Sequence, residues 1–141
     1  SIIDCMNKVA AVYPAFELTD DRNANYSTVD LISATADNSW NANSVLGQRQ
    51  TNFKHLNFEN NLVRKTVNDR TETSVTGAAL ANPFNSVLWI ASLMSDRGQR
   101  LRDGQIIMTG STFATHFAQK GDIILYEIEG LGEISLEIKD T

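Results

Sequence analysis

The sequence predicts a strand-rich α/β domain. At its C-terminal end Ile124, Tyr126 and Ile128, then Ile134, Leu136 and Ile138, alternate on either side of Gly130-Leu131-Gly132, the period of two expected of a β-hairpin. Phe84, Val87, Leu88, Ala91 and Met94 recur at the spacing of a buried helix face. A chain of 141 residues, 42% hydrophobic, is long enough for one ordinary core and too short for two.

The elements follow in order. Ile2, Ile3, Met6, Val9 and Ala10 have helical spacing, so a helix is predicted over residues 1–12, with Ser1 able to cap it. Two isoleucines directly behind Ser1 read as a helix, or its tail, continued from a longer chain. Residues 1–141 are therefore expected to be a single domain and a fragment of such a chain. Residues 12–18 alternate around Pro14, a strand with the proline at its edge. Asp20-Asp21-Arg22-Asn23 is turn chemistry. Ser27 is the predicted cap of a second helix, with Asp30 three residues on and Val29, Ile32 and Ala36 along one face. That helix should stop near Asn38, before a polar loop over residues 38–43 and a short strand over 45–50. Residues 61–67 and 73–79 read as strands flanking an Asn68-Asp69 turn. Pro83, after Asn82, opens the main helix and Gly98 ends it. Residues 106–109 are predicted as a buried strand entered through Asp103-Gly104. Two substantial helices are expected in all.

Composition narrows the function. A net charge of −5 and a pI near 4.9, with Arg64, Lys65, Arg70, Arg97, Arg100 and Arg102 scattered, exclude a nucleic-acid partner, which needs clustered cations. Cys5 is the only cysteine, so no internal disulfide and no thiolate metal cluster can form, and a reducing, cytoplasmic compartment is expected. The longest apolar run, residues 87–94, is broken by Ser92 and falls short of a membrane span, and no signal-peptide pattern opens the chain.

Few residues carry chemistry on their own. Glu17 sits in an otherwise apolar strand, sharing a face with Tyr13 and Ala15; it is either an exposed strand-end carboxylate, free or paired with Arg22, or a functional one that a cation or donor must meet. His55 and His116 are isolated, and Gly110-Ser111 lacks the flanks of a nucleophile elbow. Gly130-x-Gly132 lacks the following helix of a dinucleotide fingerprint. Thr109-Gly110-Ser111 reads equally as a strand-end turn and as a pocket segment.

The motifs nonetheless form a pattern. PAFELTDDR at 14–22, ADN at 36–38, GAALANPFNSVLW at 77–89 and LRDGQIIMTGS at 101–111, closed by Gly121-Asp122 and Gly130-Leu131-Gly132, resemble the C-terminal half of the 2-keto-4-pentenoate hydratase and 2-oxo-3-enedioate decarboxylase family, within the fumarylacetoacetate hydrolase superfamily. The resemblance covers nearly the whole chain. It implies a mixed β-sheet roll of the fumarylacetoacetate hydrolase C-terminal type with two main helices, and a lyase that adds water to 2-hydroxypenta-2,4-dienoate or a related 2-oxo acid. It implies Glu17 as one of three carboxylates on Mg²⁺ or Mn²⁺, the other two belonging to a Glu-x-Glu strand that would lie upstream of Ser1. It implies Asp37, Asn38, Ser39, Thr109 and Ser111 as substrate-binding residues, a small 2-oxo or dienol acid as partner, and a homo-oligomer. The ADN stretch, with no lysine before Lys54, favours the hydratase or decarboxylase branch over the carbon–carbon hydrolases. The loop departs from the family at Ser39-Trp40, where small residues are usual, and Trp40 is expected to narrow the pocket. A truncated homologue serving assembly is the non-enzymatic alternative.

Overall fold

The computed structural model describes residues 1–139. Helix α1 (Ile2–Lys8) opens on a capping box: the Ser1 hydroxyl accepts the Asp4 amide, and the Asp4 carboxylate takes the Ser1 ammonium. Strands β1 (Ala15–Thr19) and β2 (Asn41–Leu46) pair antiparallel as one small sheet. Between them lie α2 (Leu31–Ala36) and a tight turn, Asn38–Trp40. Strands β3 (Leu62–Val67), β4 (Arg70–Val75), β5 (Ile123–Ile128) and β6 (Gly132–Glu137) form a second sheet in the order β4-β3-β5-β6, and every pairing in both sheets is antiparallel. Helix α3 (Pro83–Asp96) packs on α1.

The core is aromatic. Phe53, Phe58 and Phe84 are buried against Cys5 and Leu131, with Ile2, Met6, Val87, Leu88 and Ile128 packed around them. Val63, Ile124 and Ile134 are buried on the inner face of the larger sheet. Burial pushes the Cys5 thiol up, which keeps it protonated and unreactive. Phe16 of β1 meets Tyr126 of β5, ring centroids 6.0 Å apart, and so joins the two sheets.

The terminal hairpin, the Asn68-Asp69 turn and α3 lie where their patterns placed them. Helix α3 ends in a Schellman motif: Gln99 N–H reaches Met94 C=O, Gly98 N–H reaches Ser95 C=O, and Gly98 has φ of 68°. Asn82, itself buried, caps α3 by accepting the Phe84 amide at 3.0 Å. Asn82→Ala is expected to lower stability by about 1–2 kcal/mol, because the lost cap is in the interior; the urea midpoint measures it.

Several expectations change. The second helix is capped by Asp30, whose side chain accepts the Ser33 amide, and not by Ser27; with Leu31 and Ile32 more than 80% exposed, its apolar face covers nothing here. The strand placed at 45–50 is β2, Asn41–Leu46, because the polar loop is itself paired to β1. The strand placed at 73–79 is β4, Arg70–Val75, drawn back by the two-residue turn. Residues 106–109 join no ladder among the described residues, and Ile106 is 59% exposed. Of the helices, α3 alone exceeds two turns. No helix is long and apolar enough to cross a membrane among the described residues.

Candidate functional site

Glu17 is exposed in the middle of β1, opposite Ser44. Its Oε1 accepts a hydrogen bond from Asn41 Nδ2 at 2.9 Å, while Arg22 turns elsewhere: its guanidinium meets Asp37 Oδ1 at 2.7 Å. The β1–β2 register slips between Leu18 and Thr19, so that Leu18 faces Asn43 and Thr19 faces Asn41. This bulge sets the geometry at Asn41 and so the reach of its amide to Glu17.

The turn before β2 is strained. Asn38, Ser39 and Trp40 have φ of 52°, 49° and 61°, three consecutive non-glycine residues in the left-handed region, which costs roughly 1–2 kcal/mol each. Such strain persists only where the surroundings hold it. Here the Arg22–Asp37 ion pair ties the turn's start, Trp40 N–H bonds Asp37 C=O, and Asp20 N–H bonds Trp40 C=O at 2.9 Å. The Trp40 ring packs edge-on against Tyr26, centroids 5.5 Å apart, and Tyr26 donates to Asp21 at 2.6 Å. That hydrogen bond lowers the Asp21 carboxyl and raises the Tyr26 phenol. Asp37, Asn38 and Ser39 are thus carried on one clamped turn, linked to Glu17 through Asn41.

Thr109 and Ser111 lie on the irregular segment after α3, on either side of Gly110 with its φ of 99°. Ser86 Oγ donates to Thr109 C=O at 2.8 Å. The Ser111 hydroxyl is engaged locally, donating to Phe113 C=O and accepting from Phe113 N–H. Thr112 Oγ1 and the Tyr126 phenol are 3.1 Å apart, and the Phe113 ring lies against Tyr126. Burial raises the Tyr126 phenol, so it stays neutral. Tyr126 therefore touches both this segment and Phe16, the neighbour of Glu17 on β1.

His116 is not isolated: its Nε2 lies 3.2 Å from Asp122 Oδ2. Asp122 also accepts the Gln119 amide and Asn68 Nδ2, and Asn68 Oδ1 accepts the Ile123 amide. These bonds, the Gln119 amide foremost, hold the Asp122 carboxyl below the ordinary range. Its contribution to stability is present above the unfolded carboxyl pKa and disappears as pH falls through the lower folded value. The melting temperature should therefore drop in strong acid, and Asp122→Asn should flatten that part of the profile. Two open concavities lie apart from Glu17 and the Asp37–Ser39 turn: one lined by Lys65, Arg70, His116 and Asp122, the other by Met94, Arg100, Arg102 and Gln105.

Among the described residues no three His, Cys, Asp or Glu side chains gather. Mg²⁺ takes six oxygens, so Glu17 supplies at most a part of a site. Asn41, which orients Glu17, and Arg22, which holds Asp37, were not foreseen in these roles. The only signal for Asn41 was its place in a polar loop.

The chain is similar to known proteins in sequence and in fold. The chain is 32% identical over 133 residues to the 4-oxalocrotonate decarboxylase of Pseudomonas putida, covering 94% of this chain and 50% of the relative. It is 30% identical over 141 residues to the 2-keto-4-pentenoate hydratase of Paraburkholderia xenovorans (strain LB400), covering 98% and 51%. Its fold superposes on the 4-oxalocrotonate decarboxylase of Pseudomonas putida G7, complexed with magnesium and adipate, with a TM-score of 0.86 and 28% identity over 97% of this chain and 52% of that one. The chain thus spans about half the length of the curated relatives it matches. With residues 3–139 matched by the Fumarylacetoacetate (FAA) hydrolase C-terminal family, the chain belongs to that family.

Proposed function

We propose that residues 1–141 are one domain of a longer, cytoplasmic, homo-oligomeric lyase that adds water to 2-hydroxypenta-2,4-dienoate or a related 2-oxo acid. The observation that carries this is Glu17: an exposed carboxylate with one oxygen held by Asn41, next to a bulge and a strained, clamped turn. A surface glutamate without a role needs no such setting. Glu17 would be one ligand of Mg²⁺ or Mn²⁺, and these residues do not complete the shell. The work of this chain is positioning: Arg22 fixes Asp37, so that Asp37, Asn38 and Ser39 hold the acid's polar head. Thr109 and Ser111 would bind the substrate from the segment whose Thr112 and Phe113 lie against Tyr126. Solved relatives complexed with magnesium, and with calcium and acetate, support a divalent ion.

A sister activity, decarboxylation of a 2-oxo-3-enedioate, is favoured by the decarboxylase relatives in sequence and in structure. Turnover of the dienoate and of 4-oxalocrotonate by the protein at its full natural length decides between them. Hydration of the first supports the main reading; carbon dioxide release from the second alone supports the sister. Neither activity would leave a truncated homologue that serves assembly.

The 141-residue chain itself should bind Mg²⁺ only weakly, with a dissociation constant on the order of millimolar or above, since no three His, Cys, Asp or Glu side chains gather around an ion among the described residues. Calorimetric titration reads this directly. Micromolar binding would show that the shell is complete without further chain.

A further inference from the structure

Trp40 is held twice over, in its main chain and in its ring. A bulky residue at φ of 61° is an outlier, and it follows Asn38 and Ser39 in the same region. Asp20 N–H bonds its C=O at 2.9 Å, and its own N–H bonds Asp37 C=O at 3.0 Å. Its ring meets Tyr26 edge-on, with centroids 5.5 Å apart and planes at 79°. The Tyr26 phenol donates to Asp21 Oδ2 at 2.6 Å, and Asp21 Oδ1 accepts the Asn23 amide at 3.0 Å, so the ring that holds Trp40 is itself fixed. Asp20 and Asp21 are neighbours, which closes a circuit. One arm runs through the main chain to Trp40 C=O, the other through the Tyr26 side chain to the indole.

Tyr26 is 58% exposed, so this circuit adds little to the core. Its place beside Asn41 gives it another use. Asn41 directly follows Trp40 and is extended, with φ of −62° and ψ of 120°. The chain passes from the left-handed to the extended region across one peptide, and the direction of the Asn41 side chain depends on Trp40 keeping its torsions. That side chain carries the amide that meets Glu17 Oε1 at 2.9 Å. A relaxed Trp40 would swing the amide off the carboxylate, and a hydrogen bond weakens steeply with misalignment.

We propose that Tyr26 is a positioning residue for the Glu17 carboxylate: its ring holds Trp40 in the strained turn, and Trp40 aims the Asn41 amide at Glu17. The proposal rests on Glu17 being a metal ligand, as read above. It brings the loop between β1 and α2 into the machinery of the site, through two aromatic rings and one amide.

Calorimetric titration with Mg²⁺ alone, in the protein at its full natural length, tests it. Tyr26→Ala should lower the affinity about fivefold, less than the roughly tenfold of Asn41→Ala, because it acts through Asn41. Tyr26→Phe keeps the ring against Trp40 and should stay within about twofold of the parent. In the Asn41→Ala background Tyr26→Ala should cost nothing further, the non-additivity expected of residues in one chain of contacts. Ser39→Gly takes the left-handed region without strain and should restore most of the affinity lost in Tyr26→Ala. A lower melting temperature in Tyr26→Ala with unchanged Mg²⁺ affinity, while Glu17→Gln loses the metal, overturns the proposal and makes the ring pair a packing contact only. Equal losses in the two backgrounds, or no rescue by Ser39→Gly, mean that Tyr26 acts by another route, and overturn it as well. Unchanged affinity in Glu17→Gln is the separate result that removes the metal reading of Glu17 and the proposal with it.

Discussion

Phe53→Ala is expected to leave the isolated chain largely unfolded. Phe53 is 1% exposed and packs against Phe58 at 6.2 Å and 72° and against Phe84 at 6.2 Å and 18°, while Phe58 meets Phe84 edge-on at 5.1 Å. Truncating a buried phenylalanine costs about 3–5 kcal/mol. The whole stability of an ordinary domain is about 5–15 kcal/mol, and a chain with this much bare surface belongs at the low end of that range. Loss of the ring removes the face on which Phe84 stacks and the edge-on partner of Phe58, and so leaves α3 without its first anchor. Far-UV circular dichroism with urea titration measures the effect. Phe53→Leu, which keeps most of the volume, should retain a cooperative transition at lower urea. A Phe53→Ala protein as stable as the parent would move the core away from this cluster.

That core is also where sequence reading stopped short. Phe84 announced itself through helical spacing, but Phe53 and Phe58 sit in the connection between β2 and β3, where no period of two or 3.6 exists to mark an inward side. Local chemistry was readable where the chain decides alone: Asn82-Pro83 at a helix start, Gly98 at its end, Asn68-Asp69 in a tight turn. Residues 106–109 show the opposite case. Their β-propensity is real, but a strand exists only through its neighbour, and the described residues hold none for them. The face of α2 differs for a related reason: of Val29, Ile32 and Ala36, read as one apolar face, Ile32 and Ala36 are exposed, with no surface among the described residues for them to cover. At the site, PAFELTDDR singled out Glu17, and the family it pointed to is the one that matches. What it could not convey was the partner of each side chain. Asn41 reaches Glu17 only because of the bulge, and Arg22 meets Asp37 only because the intervening excursion folds back onto the turn. Trp40, expected to narrow the pocket, has its ring edge-on against Tyr26, which gives the strained turn a packing partner.

Glu17→Gln, in the protein at its full natural length, should lose at least about a hundredfold in divalent-metal affinity and in turnover. The amide keeps the shape of the side chain and gives up the charge that holds a cation. Removing an outer partner of a metal ligand already costs about 10–100-fold, and loss of the ligand itself should reach or exceed the upper end of that range. Stability offers the control, because Glu17 is exposed on β1 and surface substitutions of this kind move it by about 0.5 kcal/mol at most. Asn41→Ala provides the graded companion. It removes the 2.9 Å hydrogen bond that orients Glu17 while leaving the carboxylate in place, so an intermediate loss of about tenfold is expected, greater in metal affinity than in melting temperature. The order of the two effects carries the argument. Equal, small losses would mean that the Asn41–Glu17 contact only staples β2 to β1. Full activity in Glu17→Gln would reduce Glu17 to an exposed strand residue and leave the metal to be held wholly by other residues.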